Sequence, residues 1–171
     1  MAQAEPVDAL TAAFERIAAT RMAGLPMNNP ALRVAAVGFR PLDEDHLVGV
    51  LVTPWAINLM LLGDKTVSDL RLAADCRRTW EFPSGRYEFM GGDEPESGPY
   101  QFCSLFSPAF EFGDQAAAVR TAGEIMASLF VDTSEGGADD REIARIAGRS
   151  VMQIPTSRRG FLRGLFGERK A

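Results

Sequence analysis

One histidine, His46, and two cysteines, Cys76 and Cys103, make up the inventory of bases, thiol nucleophiles and soft metal ligands in the 171-residue chain. A Ser-His-Asp hydrolase needs a histidine base held in a pocket. His46 follows Asp43, Glu44 and Asp45 at what reads as a hairpin turn, so an exposed position is expected and catalysis is not. The cysteines stand 27 residues apart and neither belongs to a Cys-x-x-Cys pair. A structural zinc or rubredoxin-type iron site wants four soft ligands at close spacing, which one copy of this chain does not supply. Cys103 lies in the apolar run Gln101-Phe102-Cys103-Ser104-Leu105-Phe106-Ser107-Pro108, where burial would leave its thiol inert. A thiol-dependent enzyme using Cys103 is the catalytic alternative. Gly91-Gly92 and Gly136-Gly137 lack the Gly-Lys-Ser/Thr ending of a phosphate loop. The acidic clusters at 43–45 and 93–96 do not follow EF-hand spacing and are expected to serve solubility. No catalytic residue, metal or cofactor is expected.

Residues suited to recognition are better represented. Val52-Thr53-Pro54-Trp55-Ala56-Ile57-Asn58-Leu59-Met60, with Trp80, Tyr87 and Phe89 further on, carries the Trp, Tyr and Met that give large, adaptable contact area. Pro54, Trp55, Asn58, Met60, Tyr87 and Phe89 are therefore candidate partner-binding residues; the competing reading is ordinary core. A second candidate lies near the end of the chain, in Ser157-Arg158-Arg159-Gly160-Phe161-Leu162-Arg163. Ser-Arg-Arg-x-Phe-Leu has the form of a twin-arginine export signal core, but only five residues follow Phe166, so it cannot direct export. Arg158, Arg159, Phe161 and Leu162 are carried forward as partner-binding candidates. An adaptor that binds membrane lipid or an acidic protein through this basic tail is a further alternative.

The elements that must position these residues follow from periodicity. Val7, Leu10, Phe14 and Ile17 recur at helical spacing, with Pro6 suited to the first turn and Gly24 and Pro26 ending the helix. From Leu32 the period falls to two through Val34 and Ala36, and 46–53 reads as a buried strand, the pair forming a hairpin. Residues 55–62 fit either a strand or a short apolar helix. Residues 79–82, a Pro83-Ser84-Gly85 turn and 86–90 read as a second hairpin, 91–99 as a polar loop, and 100–106 as a strand apolar on both sides, hence central. Asp114 can cap a helix running to about Phe130, with Ala118, Val119, Ala122, Ile125, Met126 and Leu129 on its buried face. The spacing is too tight for βαβ crossovers. The expected fold is α+β: an antiparallel β-sheet meander flanked by an N-terminal and a C-terminal helix, with a basic flexible C-terminal tail. Residues 1–131 form the expected single domain and 132–171 a linker and Arg-rich tail.

Composition agrees with a globular domain: 46% hydrophobic and 24% charged residues, with net charge −5. The charge is unevenly spread. Residues 139–171 carry eight basic and four acidic side chains, and the first 138 carry ten and nineteen. An acidic body argues against nucleic acid, and its basic end can attract an acidic partner or the body itself. No apolar run reaches the ~18–20 residues of a membrane span. With no secretory leader, two scattered thiols fit a cytoplasmic location.

At Val52-Thr53-Pro54-Trp55, at Pro83-Ser84-Gly85 before Tyr87-Glu88-Phe89, and at Cys103-Ser104-Leu105-Phe106-Ser107-Pro108, the sequence resembles the HybE/HupJ family of [NiFe]-hydrogenase assembly chaperones. The likeness covers roughly residues 5–131, and the tail is similar to the Ser-Arg-Arg-rich ends of the HupJ branch. The resemblance implies a cytoplasmic accessory protein without catalytic residues. Its implied partners are the hydrogenase small subunit with its twin-arginine signal, in some members the large subunit, and other maturation proteins. Nucleic acid and membrane contact are not expected.

Overall fold

The computed structural model describes residues 4–63 and 68–132. In chain order they form α1 (Ala4–Ala19), β1 (Ala35–Pro41), β2 (His46–Val52), β3 (Ile57–Gly63), a 3-10 turn (Ser68–Leu70), β4 (Arg77–Phe82), β5 (Gly85–Glu94), β6 (Gly98–Phe106) and α2 (Gln115–Leu129). The strands make one antiparallel sheet in the order β1-β2-β3-β6-β5-β4. The expected α+β fold is present, and its meander is double: β1-β2-β3 and β4-β5-β6 each run up and down, and β6 returns beside β3. Residues Arg158, Arg159, Phe161 and Leu162 lie outside the described residues.

The chain divides into two compact units. The larger holds α1, β1, β2 and β3 within the residues up to Arg78, then Phe89–Met126; the smaller holds Thr79–Glu88 and the chain from Ala127.

In the larger unit the central strands are buried on both sides, which is why they read as nearly continuous apolar runs. Every residue of β2 is buried, as are six of the seven in β3. Alternation sends Leu47, Leu51, Met60, Leu62 and Tyr100 to one face, where Leu10, Ala13, Phe14 and Ile17 of α1 cover them. Val48, Val50, Leu59, Leu61, Gln101 and Cys103 point to the other face and have no exposed surface. There Gln101 Nε2 donates to the Leu70 carbonyl at 3.1 Å, anchoring the 3-10 turn on β6. Asp114 Oδ1 accepts the Ala117 N–H at 2.7 Å and so caps α2, as its sequence position suggests.

Three local expectations change. The strand read from Leu32 starts at Ala35, because the Leu32 N–H turns back to the Asn29 carbonyl at 3.1 Å. The ambiguous segment 55–62 is a strand from Ile57, paired residue for residue with β2 from His46↔Gly63 to Val52↔Ile57 and with β6 on its other side. The polar loop expected at 91–99 is a hairpin whose strands run to Glu94 and from Gly98. Gly91 and Gly92 pair with Gln101 and Tyr100 in the ladder, at positions where larger residues do not fit. A Cβ on Gly92 would lie 2.3 Å from the Tyr100 ring, and one on Gly91 2.8 Å from the Leu72 carbonyl oxygen.

In the smaller unit the Pro83-Ser84-Gly85 turn is tied down on both sides. The Ser84 N–H donates to the Leu129 carbonyl at 3.2 Å, and the Ser84 and Tyr87 hydroxyls are 2.8 Å apart. Phe82 meets Tyr87 and Phe130 edge-on, with ring centroids 5.6 and 6.2 Å away.

Candidate partner-binding surface

At the end of the larger unit where β2 turns into β3, three loops converge on one side chain. Asn29 is 6% exposed. Its backbone N–H donates to the Pro54 carbonyl at 2.7 Å, and its amide nitrogen donates to the carbonyls of Ala109 (2.9 Å) and Phe112 (2.8 Å). Its amide oxygen accepts the Ala31 N–H at 3.0 Å. Residues 20–31, 53–56 and 107–114 are thereby fastened to each other. A buried amide satisfied in this way holds loop backbone that would otherwise carry unpaired polar groups.

The middle loop is rigid in its own right. The Thr53 N–H and hydroxyl both donate to the Ala56 carbonyl, at 2.9 and 2.6 Å, and the Ala56 N–H donates back to the hydroxyl at 3.0 Å. Pro54 and Trp55 are the two residues left at the tip of this turn. Both are half-buried, and the Trp55 indole stacks on Phe14 of α1, with centroids 6.3 Å apart and planes 17° from parallel.

Around this framework stand apolar side chains that the core does not absorb. Leu25 is 37% exposed, Met27 44% and Phe110 54%. Met27 is two residues from Asn29, Phe110 is adjacent to Ala109, and Trp55 is adjacent to Pro54, so each sits on a loop that Asn29 ties down. Exposed apolar groups on loops tied down in this way make a candidate interaction surface. Glu111 and Asp114 in the third loop are also exposed, Asp114 while capping α2.

The sequence-derived candidates divide. Pro54 and Trp55 lie on this rim. Met60 and Phe89 are fully buried, and Tyr87 and Asn58 are 6% and 8% exposed, so these four have almost no surface to present. Period-two alternation put Met60 and Phe89 in strands, but only their pairing partners show both faces covered. Asn58 Oδ1 has no hydrogen-bond partner among the described residues. Asn29, Leu25, Met27 and Phe110 were missed; the available hint was the Asn28-Asn29-Pro30 loop, since asparagine at a loop so often holds backbone. Two of the three segments that carried the family resemblance, 52–55 and 103–108, meet here through β3, where Ile57 pairs with both Val52 and Phe106.

Other charged groups are structural. Arg16 and Arg21 close the end of α1 onto the β5–β6 turn. Arg16 reaches Glu94 at 2.9 Å and Glu96 at 2.5 and 3.1 Å, and Arg21 reaches Glu94 at 2.5 Å. Hydrogen bonds from Arg16 hold the Glu96 carboxyl below its ordinary range. Burial, then the nearby Glu94 charge, pushes the Tyr100 phenol up to about 12. The cluster at 93–96 thus binds a helix rather than merely aiding solubility.

His46 is not in an exposed turn. It is 8% exposed, with Nδ1 2.8 Å from Asp43 Oδ1 and Nε2 3.2 Å from Asp69 Oδ1. Burial alone would lower its pKa, but the hydrogen bonds to Asp43 and Asp69 outweigh that and raise it. Both ring nitrogens are engaged by carboxylates, a clamp rather than a catalytic dyad with an open side. Cys103 has no exposed surface and Cys76 is exposed. Among the described residues no group of three or more His, Cys, Asp or Glu side chains is placed to hold a metal ion, and no helix is long and apolar enough to cross a membrane.

Comparison with known proteins places this architecture. The family described as "[NiFe]-hydrogenase assembly, chaperone, HybE" matches residues 5–164. The protein HoxT of Cupriavidus necator is 46% identical over 132 residues, covering 70% of this chain and 73% of that protein. The hydrogenase expression/formation protein HupJ of Bradyrhizobium diazoefficiens is 37% identical over 163 residues, covering 95% and 90%. The solution structure of HybE from Escherichia coli shares the fold, with a TM-score of 0.55 and 22% identity over 74% of this chain and 77% of that one.

Proposed function

Because the chain belongs to the HybE family of [NiFe]-hydrogenase assembly chaperones, we propose that it holds the hydrogenase small subunit, including its twin-arginine signal, in the cytoplasm during maturation. The rim of Leu25, Met27, Pro54, Trp55 and Phe110 is the holding surface. The client is released, with other maturation proteins, when it can join the large subunit. The observation that carries this reading is a set of exposed apolar side chains on three loops locked by one buried asparagine. Preorganised loops lose little entropy on binding, so a modest apolar patch yields useful affinity. The reading is non-catalytic: Cys103 sits where no substrate reaches it, and Cys103→Ala is expected to leave hydrogenase maturation intact.

The test is co-purification of the full chain from a hydrogenase-producing host. The wild type is expected to bring down the small subunit, and less of it once the signal is removed. A Met27→Ser/Phe110→Ser variant with an unchanged circular dichroism spectrum is expected to lose it. Undiminished capture by that variant would refute the rim as the surface, and recovery of the large subunit alone would refute the assignment of client.

A further inference from the structure

We propose that the groove between the first turns of α1 and the β1–β2 hairpin is a second recognition site, which takes an arginine and an adjoining apolar side chain from an extended peptide. The groove lies within the larger unit and is separate from the rim, which stands at the other end of β2.

The space is a cavity of about 300 Å³ lined by Ala4, Val7 and Asp8 of α1 and by Phe39 and Leu47 of the hairpin. Spacings of three and four put the helical residues on one face. Leu47 is buried, while Val7 and Phe39 are half-buried and pack against the core cluster. The cavity is thus walled by side chains that the fold already holds.

Local sequence fixes the Phe39 wall. The β1–β2 register shifts between Val37 and Arg40, so Gly38 and Phe39 form a bulge, and Gly38 takes the left-handed φ of +68° that the bend requires. The Phe39 ring then lies across Gly49 of β2, where a Cβ would meet it at 2.3 Å. A ring seated on bare backbone has little room to turn. The wall is therefore set before any ligand arrives, and ordering it on binding costs little.

Charge selects the occupant. Asp8 is exposed and, among the described residues, makes no hydrogen bond or ion pair; the same holds for Glu5, three residues earlier. A carboxylate in the first turns also complements the helix dipole, but that role asks for no apolar cavity beside it. Apolar walls, an aromatic ring and a carboxylate are together the complement of arginine. Its aliphatic stem covers apolar surface, its guanidinium stacks on an aromatic face, and its planar fork pairs with a carboxylate. Lysine brings the stem and the charge without the fork. A volume at the lower end of the range for small-molecule pockets is more than one side chain needs, which leaves room for an apolar neighbour on the same segment.

The experiment uses the full-length chain and fluorescence anisotropy of a labelled peptide, Gly-Ser-Arg-Phe-Leu-Ser-Gly. Two comparison peptides carry lysine or the uncharged isostere citrulline in place of arginine. The arginine peptide is expected to bind about tenfold more tightly than the citrulline peptide, the size of a lost charge-assisted hydrogen bond, with lysine between them. Asp8→Asn is expected to erase the difference between arginine and citrulline. Ala4→Trp, a substitution at an exposed position on the edge of the cavity, should block all three peptides. Both substitutions are on the surface of α1, and an unchanged circular dichroism spectrum verifies the fold. No binding of the arginine peptide would overturn the proposal, as would equal affinity for arginine and citrulline. Lysine binding as tightly as arginine would overturn the assignment of arginine. An equal loss in Glu15→Gln, which removes an exposed carboxylate two turns further along α1, would show general attraction to the helix and overturn the site. Small-subunit capture is scored separately. Capture through the rim without peptide binding would sink this site alone, and peptide binding without capture would sink the chaperone reading alone.

Discussion

Met27 and Met60, or Phe110 and Phe89, are pairs of the same residue in opposite situations. Met60 and Phe89 lie in central strands with no exposed surface, whereas Met27 and Phe110 sit on loops at 44% and 54% exposure. The free energy of removing an apolar side chain from water is similar in each pair; folding has already realised it in one member and left it available in the other. The buried members hold the sheet together, and the exposed ones keep that free energy available to any surface that covers them. Asn29 joins the two situations, because its buried hydrogen bonds tie together the loops bearing Met27, Trp55 and Phe110.

The contrast should be largest in stability. Phe89→Ala is expected to cost about 3–5 kcal/mol and Met60→Ala about 2–5 kcal/mol, read as a lower urea midpoint at unchanged slope. Phe110→Ala and Met27→Ala should stay within ~0.5 kcal/mol of wild type. A destabilisation of Phe110→Ala approaching that of Phe89→Ala would erase the distinction between core and rim.

Asn29→Ala comes next. It strips donors from the Ala109 and Phe112 carbonyls and should cost about 1–3 kcal/mol. Unlike the core substitutions, it should also reduce client capture when assayed well below the unfolding midpoint. Wild-type capture by that variant would mean the rim does not need its fastening.

The His46 clamp sharpens the comparison from a third side, since it is buried yet polar. Its folded pKa is raised above the unfolded value of ~6.5. The protonated form therefore stabilises the fold fully below pH ~6.5, and that contribution is lost as pH rises through the folded pKa. Urea midpoints of the wild type should fall across that interval, while His46→Gln should be flat there. Asp43, whose pKa is lowered mainly by its bonds to His46 against the effect of burial, loses its contribution in the opposite direction, as pH falls through its folded value.

A small effect is expected at Glu96. Its carboxylate is drawn to Arg16 with 31% of its side-chain surface still exposed, and partly exposed ion pairs are weak. Glu96→Gln should shift the midpoint less than the core, Asn29 and His46 substitutions, and the shift should vanish in 0.5 M NaCl. A salt-independent loss would mean the pair is shielded from water.

What the sequence determined by itself was local. Leu10, Phe14 and Ile17 announce a helix because 3.6-residue periodicity needs only neighbours to be read, and Asp114 announces the start of another because a cap acts within one turn. Two central strands were equally plain from their mostly apolar runs at 46–53 and 100–106. Tertiary structure decided whatever depended on residues far apart in the chain. Asn29 finds its carbonyl partners some eighty residues away, Gly92 is in a strand because Tyr100 lies across it, and His46 is buried because Asp69 closes over its ring. Apolar character says that a side chain will leave water if it can. Which ones succeed is settled by how the strands pair and what lies on each face of the sheet.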